Sequence, residues 1–86
     1  MLAEHKSREI KEVKVSSDCY FAGKTVGDAE IHKKTGIVLV GIGKKGDLTI
    51  DPPNEFIIEE GDILLGLGKP DEFERIEKNE FKYEFS

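Results

Sequence analysis

Apolar residues fall along this chain in short, sharply punctuated runs, and the period of each run selects an element. From Ile10 to Ser16, Val13 and Val15 alternate with lysines, which predicts a half-buried strand. Asp18 to Lys24 reads as a loop closed by Gly23. Thr25 is a suitable N-cap, and Val26, Ala29 and Lys33 share one face of a short helix that Gly36 ends. Ile31 lies off that stripe, so the helix is expected to be irregular near its end. Ile37-Val-Leu-Val-Gly-Ile42 is apolar on both parities, the pattern of a central strand covered on both faces. Gly43 to Asp47 then forms a turn, and Leu48-Thr-Ile50 completes a hairpin that Pro52 and Pro53 stop.

The second half follows the same logic. Phe56 to Ile58 is a short apolar segment, Glu60-Gly61-Asp62 a tight turn, and Ile63 to Leu67 a buried strand. Pro70 suits the first turn of a helix whose acidic start is Asp71 and Glu72 and whose buried face is Phe73 and Ile76. Phe81, Tyr83 and Phe85 alternate strictly and predict a last strand or an aromatic tail. The order β-α-β-β-(β)-β-α predicts an α+β fold, a mainly antiparallel sheet with two helices on one face. Residues 1–8 read as a polar tail or connector, 9–79 as the domain, and 80–86 as the aromatic tail.

Composition narrows the function. At 86 residues and 9.6 kDa the chain holds one thin core. A single cysteine, Cys19, excludes an intrachain disulfide and a cysteine-based zinc site. The formal net charge of −5 argues against a nucleic-acid binder that neutralises phosphates. Charge is also uneven: residues 1–50 hold nine Lys/Arg against seven Asp/Glu, whereas 51–86 hold four against eleven. The longest apolar run, Ile37 to Ile42, is far below the ~20 residues of a membrane helix. A soluble cytoplasmic domain without a covalent staple is expected, and such cores gain stability by oligomerising.

Two motifs invite a nucleotide and neither sustains it. Gly41-Ile-Gly43-Lys-Lys-Gly46 spells GxGxxG, but a strand ending in prolines follows where the dinucleotide fold needs a helix N-terminus. Gly23-Lys24-Thr25 ends like a phosphate loop, but Asp18 holds the first glycine's place and Cys19 to Ala22 are too bulky to wrap phosphate. His5 and His32 are isolated, and Asp51, Glu55, Glu59, Glu60 and Asp62 read as solvated turn carboxylates. No catalytic or metal-ligating set is legible. His32, Lys33 and Lys34 form a small basic cluster at a helix C-terminus, read either as dipole complementarity or as an anion contact.

Order and punctuation together resemble a known family. Gly23-Lys24-Thr25-Val26, Ile31 and Lys34-Thr35-Gly36 are similar to the "GKTL…L…KxG" opening of the TrkA C-terminal domain, also called the RCK C-terminal domain. Ile37 to Ile42 with Lys44 and Gly46 resembles its central strand and turn, Pro52 or Pro53 its proline, and Gly61-Asp62-Ile63-Leu64 through Gly68 its "GDxLxxxG" signature. The likeness spans roughly residues 10–78.

That resemblance implies a non-catalytic regulatory module of a potassium channel or uptake system. The module would dimerise and sense a small ligand, and it would lie in the cytoplasm against the inner face of the membrane through its partner. The other reading it implies is a passive assembly domain that holds nucleotide-binding subunits in a gating ring without a ligand of its own. The implied ligand is a cyclic dinucleotide or another anion, and NAD or ATP is expected only on a partner. The implied ligand residues are Val26, Gly27, Glu30, His32 and Ile37, with His32 in a position the family gives to arginine and Lys44 where arginine is common. Implied partners are a second copy, a separate or upstream Rossmann-type TrkA N-terminal subunit, and a membrane channel or transporter subunit. Neither nucleic acid nor direct membrane insertion is expected.

Overall fold

Along Ile63–Gly68 burial alternates strictly: Leu64, Gly66 and Gly68 are buried, and Ile63, Leu65 and Leu67 are half-buried. This strand lies inside the sheet and has one side chain face against helices. In the computed structural model, which describes residues 7–79, the elements are β1 (Glu9–Lys14), α1 (Val26–Ala29), α2 (Ile31–Thr35), β2 (Val38–Lys44), β3 (Asp47–Ile50), β4 (Ile63–Gly68) and α3 (Pro70–Glu77). The strands form one antiparallel sheet in the order β1-β4-β2-β3. α3 packs on β1, α2 on β2, and the two helices touch each other. The architecture is the expected α+β sheet with its helices on one side.

Residue pairing assigns every strand position to a face. Val13 pairs with Leu64, Leu39 with Gly66, and Ile42 with both Leu64 and Thr49, so these side chains lie on the helix side. There the core gathers Val13, Val15, Phe21, Ala29, Ile31, Ile37, Ile42, Ile58, Leu64, Phe73 and Ile76, each at most 5% exposed. Ile10 pairs with Leu67, Glu12 with Leu65, Val38 with Leu67, Gly41 with Leu65 and Ile50, and Gly43 with Ile63 and Leu48. These form the opposite face. No described element covers it, so Ile10, Val38, Leu48 and Ile50 stand exposed.

Four expectations change. β2 is central but covered on one face only; both parities are apolar because the register slips at Val40, between Leu39 and Gly41, and because the bare face is itself apolar. The first helix is two short pieces joined at Glu30, whose φ of 48° is left-handed. That joint turns the chain, so Ile31 enters the core at 5% exposure while Lys33 points to solvent. Phe56 to Ile58 is not a strand: Ile57 makes one isolated bridge to Thr25. Asp62 is not a solvated turn carboxylate but buried. The aromatic strand expected at 81–85, and His5, lie outside the described residues.

Local chemistry explains the punctuation. Lys45 and Gly46 both take positive φ, 52° and 88°, giving a two-residue hairpin turn whose twist matches the strands. The GxGxxG letters therefore serve a hairpin. Thr25 caps α1 by accepting from the Asp28 N–H at 3.1 Å. In α3 the Glu72 carboxylate accepts from the Lys69 N–H at 2.8 Å, and Pro70 sits in the first turn. Past its end Asn79, at φ 57°, accepts from the Tyr20 N–H at 2.8 Å and donates to the Asp18 carbonyl, tying α3 to the 18–22 loop.

A Cβ on Gly66 would stand 2.6 Å from Cγ2 of Ile37, itself 2% exposed, and 3.4 Å from the Phe73 ring. Gly66→Ala is expected to cost about 1–3 kcal/mol through overpacking. In a domain of this size that lowers the melting temperature by roughly 5–20 °C. A thermal melt within 2 °C of wild type would show that α3 does not seat on this glycine.

Candidate functional site

The positions implied to hold a ligand all fall within residues 26–37, and geometry decides which of them share a surface. Val26, Gly27, Glu30 and His32 line one groove of about 370 Å³ together with Ile31, Lys33, Leu39 and Asn54. Ile37 does not join them. It is 2% exposed and lies under Gly66 and Gly68, so its contribution is to packing.

The floor of the groove is set by the loop 53–58, which wraps α1. The Val26 N–H donates to the Phe56 carbonyl at 2.8 Å, and the Gly27 N–H donates to the Asn54 carbonyl at 3.0 Å. With Thr25 accepting from Asp28, the first amides of α1 are all engaged, so no bare helix start offers itself to an anion. Gly27 permits this close contact: a Cβ there would meet Asn54 Cβ at 3.2 Å. The groove therefore offers side chains rather than bare helix amides. The polar ones are His32, Lys33, Glu30 and Asn54, and Val26, Ile31 and Leu39 supply an apolar wall.

Charge in the groove is partly self-compensated. Glu30 Oε1 lies 3.1 Å from Lys34 Nζ, and Glu30 Oε2 lies 3.8 Å from Lys33 Nζ. The hydrogen bond from Lys34, and then the nearby charges of Lys33 and Lys34, hold the Glu30 carboxyl below its usual range. The Lys33 side chain is 78% exposed, whereas Lys34 is largely packed.

Asn54, Leu39 and Ile31 are the groove residues that sequence reasoning missed, whereas Lys33 belongs to the basic cluster already read as one of two things, dipole complementarity or an anion contact. Asn54 follows the Pro52-Pro53 stop and reaches the groove only because its backbone carbonyl bonds Gly27. Lys33 was assigned to the helix stripe, and the Glu30 joint rotates it outward. A second groove of about 420 Å³ runs between β1 and the end of α3, with Cys19 in its wall. Burial pushes the Cys19 thiol up from its ordinary value, which leaves it a poor nucleophile.

A separate polar knot replaces the expected row of solvated carboxylates. Asp62 Oδ2 accepts from the Glu59 N–H at 2.8 Å and from Lys44 Nζ at 2.8 Å, while Glu59 Oε1 meets the same ammonium at 2.6 Å. The ammonium also lies 5.5 Å from the Phe56 ring centre. It fastens the hairpin to the loop that floors the groove.

Partial burial of the Lys44 ammonium pulls its pKa down, and the bonds to Asp62 and Glu59 more than offset this, so it sits above its usual value. A raised folded pKa means the contribution is fully present below the unfolded value near 10.5 and is lost as pH rises through the folded one. Lys44→Met is expected to destabilise by about 1–3 kcal/mol at pH 7, since it leaves the Asp62 carboxylate short of a charged partner. The gap between the two proteins should hold from pH 7 to 10 and narrow above pH 10.5. Urea unfolding across that range checks it, and a gap that widens in alkali would refute the role given to Lys44.

Comparison with known proteins follows the same residues. The profile of the TrkA-C domain matches residues 10–79. The probable potassium channel protein 2 of Methanocaldococcus jannaschii is 30% identical over 69 residues, 80% of this chain and 20% of that protein. The chain thus spans about a fifth of its length. Among solved structures, the RCK_C domain dimer of Streptococcus agalactiae BusR in complex with c-di-AMP superposes with a TM-score of 0.75 at 28% identity, covering 81% of this chain and 92% of that one. The RCK C domain of the potassium transport protein KtrA, in complex with cyclic diadenosine monophosphate, gives 0.74 at 29% identity, covering 91% and 86%.

Proposed function

The chain belongs to the TrkA-C domain family, and we propose that it is the ligand-sensing, non-catalytic regulatory part of a potassium channel or uptake system. The observation that supports this best is the convergence of Val26, Gly27, Glu30 and His32, four of the five residues implied by the resemblance, on one groove. The ligand proposed is a cyclic dinucleotide or a related anion. Its phosphates would meet His32 and Lys33, its bases the apolar wall of Val26, Ile31 and Leu39, and its polar edges Asn54. Two of the similar solved structures, both complexes with c-di-AMP and one a domain dimer, support this ligand class and a paired module.

The mechanism is a population shift. A ligand that prefers one arrangement of paired copies pulls the equilibrium toward it and passes that preference to the membrane component. NAD or ATP is assigned to a Rossmann-type partner. This chain's nucleotide-like letters are engaged elsewhere, Gly41–Gly46 in a hairpin and Thr25 in a helix cap. The setting proposed is the cytoplasmic side of the membrane, reached through that partner. No helix among the described residues is long and apolar enough to cross a membrane.

Titration with c-di-AMP is expected to raise the melting temperature, as any ligand selective for the native state must. In calorimetry His32→Ala should weaken binding about tenfold, the size of one charge-assisted hydrogen bond. No shift at millimolar c-di-AMP would remove the dinucleotide. A shift unchanged by His32→Ala would move the site away from this groove.

A further inference from the structure

A groove of about 390 Å³ opens on the bare face of the sheet, at its hairpin end. Its floor is apolar: Ile63 and Leu65 of β4 are half-buried, and Leu48 of β3 is 56% exposed. Gly43 pairs with Ile63 on one side and Leu48 on the other, so β2 lies low as a furrow between two apolar rows. The rim is charged and exposed, with Glu12 on the β1 side and Lys45 and Asp47 at the hairpin. This groove adjoins the one beside the end of α3. Glu12, on the edge strand, lines both, and Asn79, where the described residues end, lines the one beside α3.

We infer that residues 81–85 of this chain occupy the groove on the bare face, entering it past Glu12 and covering the hairpin end of the sheet. The inference goes beyond the ligand reading, since no residue lining this groove lines that one. Four observations select this occupant.

The first is where the chain leaves α3. The Asn79 side chain bonds Tyr20 and Asp18 and itself lines the groove beside α3, so residue 80 starts in a channel whose far wall is Glu12. The second is reach. Residues 80–86 extend to at most about 25 Å. The sheet measures about 14 Å from β1 to β3 at the usual strand spacing.

The third is pattern. Phe81, Tyr83 and Phe85 alternate with Lys82 and Glu84, so an extended segment puts all three rings on one side. An aromatic ring is the side chain that fills the space a strand glycine leaves, and Gly43 with its flanking Ile63 and Leu48 is such a space. The fourth is charge. A segment that enters past Glu12 brings Lys82 to that carboxylate and carries Glu84 toward Lys45, so both encounters are of opposite sign.

The test is nuclear magnetic resonance on the full chain with isotope-labelled Ile and Leu methyl groups. Ring protons of Tyr83 and Phe85 are expected to show through-space contacts to the methyls of Leu48, Ile63 and Leu65. Those contacts should vanish from an isotope-filtered spectrum of mixed labelled and unlabelled copies, because tail and groove belong to one chain. Tyr83→Ser/Phe85→Ser should move the same methyl resonances and leave those of Ile31 and Leu39 in place. It should also lower the melting temperature by roughly 5–10 °C through lost apolar burial. Where that variant fails to fold, Glu84→Lys, which sets like charges together at Lys45, should weaken the same contacts. Contacts that survive the filter overturn the inference by giving the tail to a second copy. A wild type without the contacts, or a double variant that melts within about 2 °C of it, overturns the inference outright.

Discussion

A seam of missing side chains holds this domain together. Gly66 and Gly68 on β4 lie beneath Ile37 and Phe73, and a Cβ on either would stand within 3.0 Å of an Ile37 methyl or methylene carbon. A Cβ on Gly36, at φ 87°, would run into the Glu72 carboxylate. Three glycines thus let α3 and the chain leaving α2 lie almost on the backbone of the sheet. The contact fixes two things at once. It seats Phe73, 1% exposed, and so orients α3, and it aims the entry into β2. Backbone this close cannot be reached with side chains in the way, and the core is too small to tolerate a gap.

The seam also determines what is left bare. With helices drawn tightly onto one side, no described element remains for the other, although that side is equally rich in Ile, Leu and Val. Edge positions are managed differently: β1 alternates Lys11, Glu12 and Lys14 among its apolar residues, which discourages strand addition along its free edge. The sheet thus guards its β1 edge and exposes one face.

The elements were largely legible from hydrophobic period and turn chemistry. Strand β4, the hairpin around Lys45 and Gly46, the proline start of α3 and the Thr25 cap all follow from residues within four positions of one another. The misreadings share a cause, a local pattern overruled by a long-range contact. Ile31 looked off-stripe because helical period was carried through Glu30, a residue whose left-handed φ nothing in its own type announces. Asp62 looked solvated because its partner, Lys44, is eighteen residues away. The groove was half-legible. Val26, Gly27, Glu30 and His32 entered through resemblance and meet in space, whereas Asn54 enters only through a backbone bond to Gly27 that spacing cannot foresee. Ile37, drawn in by the same resemblance, belongs to the seam.

The two surfaces assigned a role meet at one point in the chain. Val38 and Leu39 are consecutive at the start of β2, and successive strand residues face opposite ways. Leu39 lines the groove, and Val38 stands on the bare face of the sheet. Immediately before them Ile37 is clamped in the glycine seam, so neither residue can shift without pulling on α3. Immediately after them the ladder slips at Val40, where the pairing of β2 with β4 is irregular. Leu39 in the groove and Val38 on the bare face are therefore tied to each other through one peptide. That link is anchored at the seam that the rest of the fold depends on.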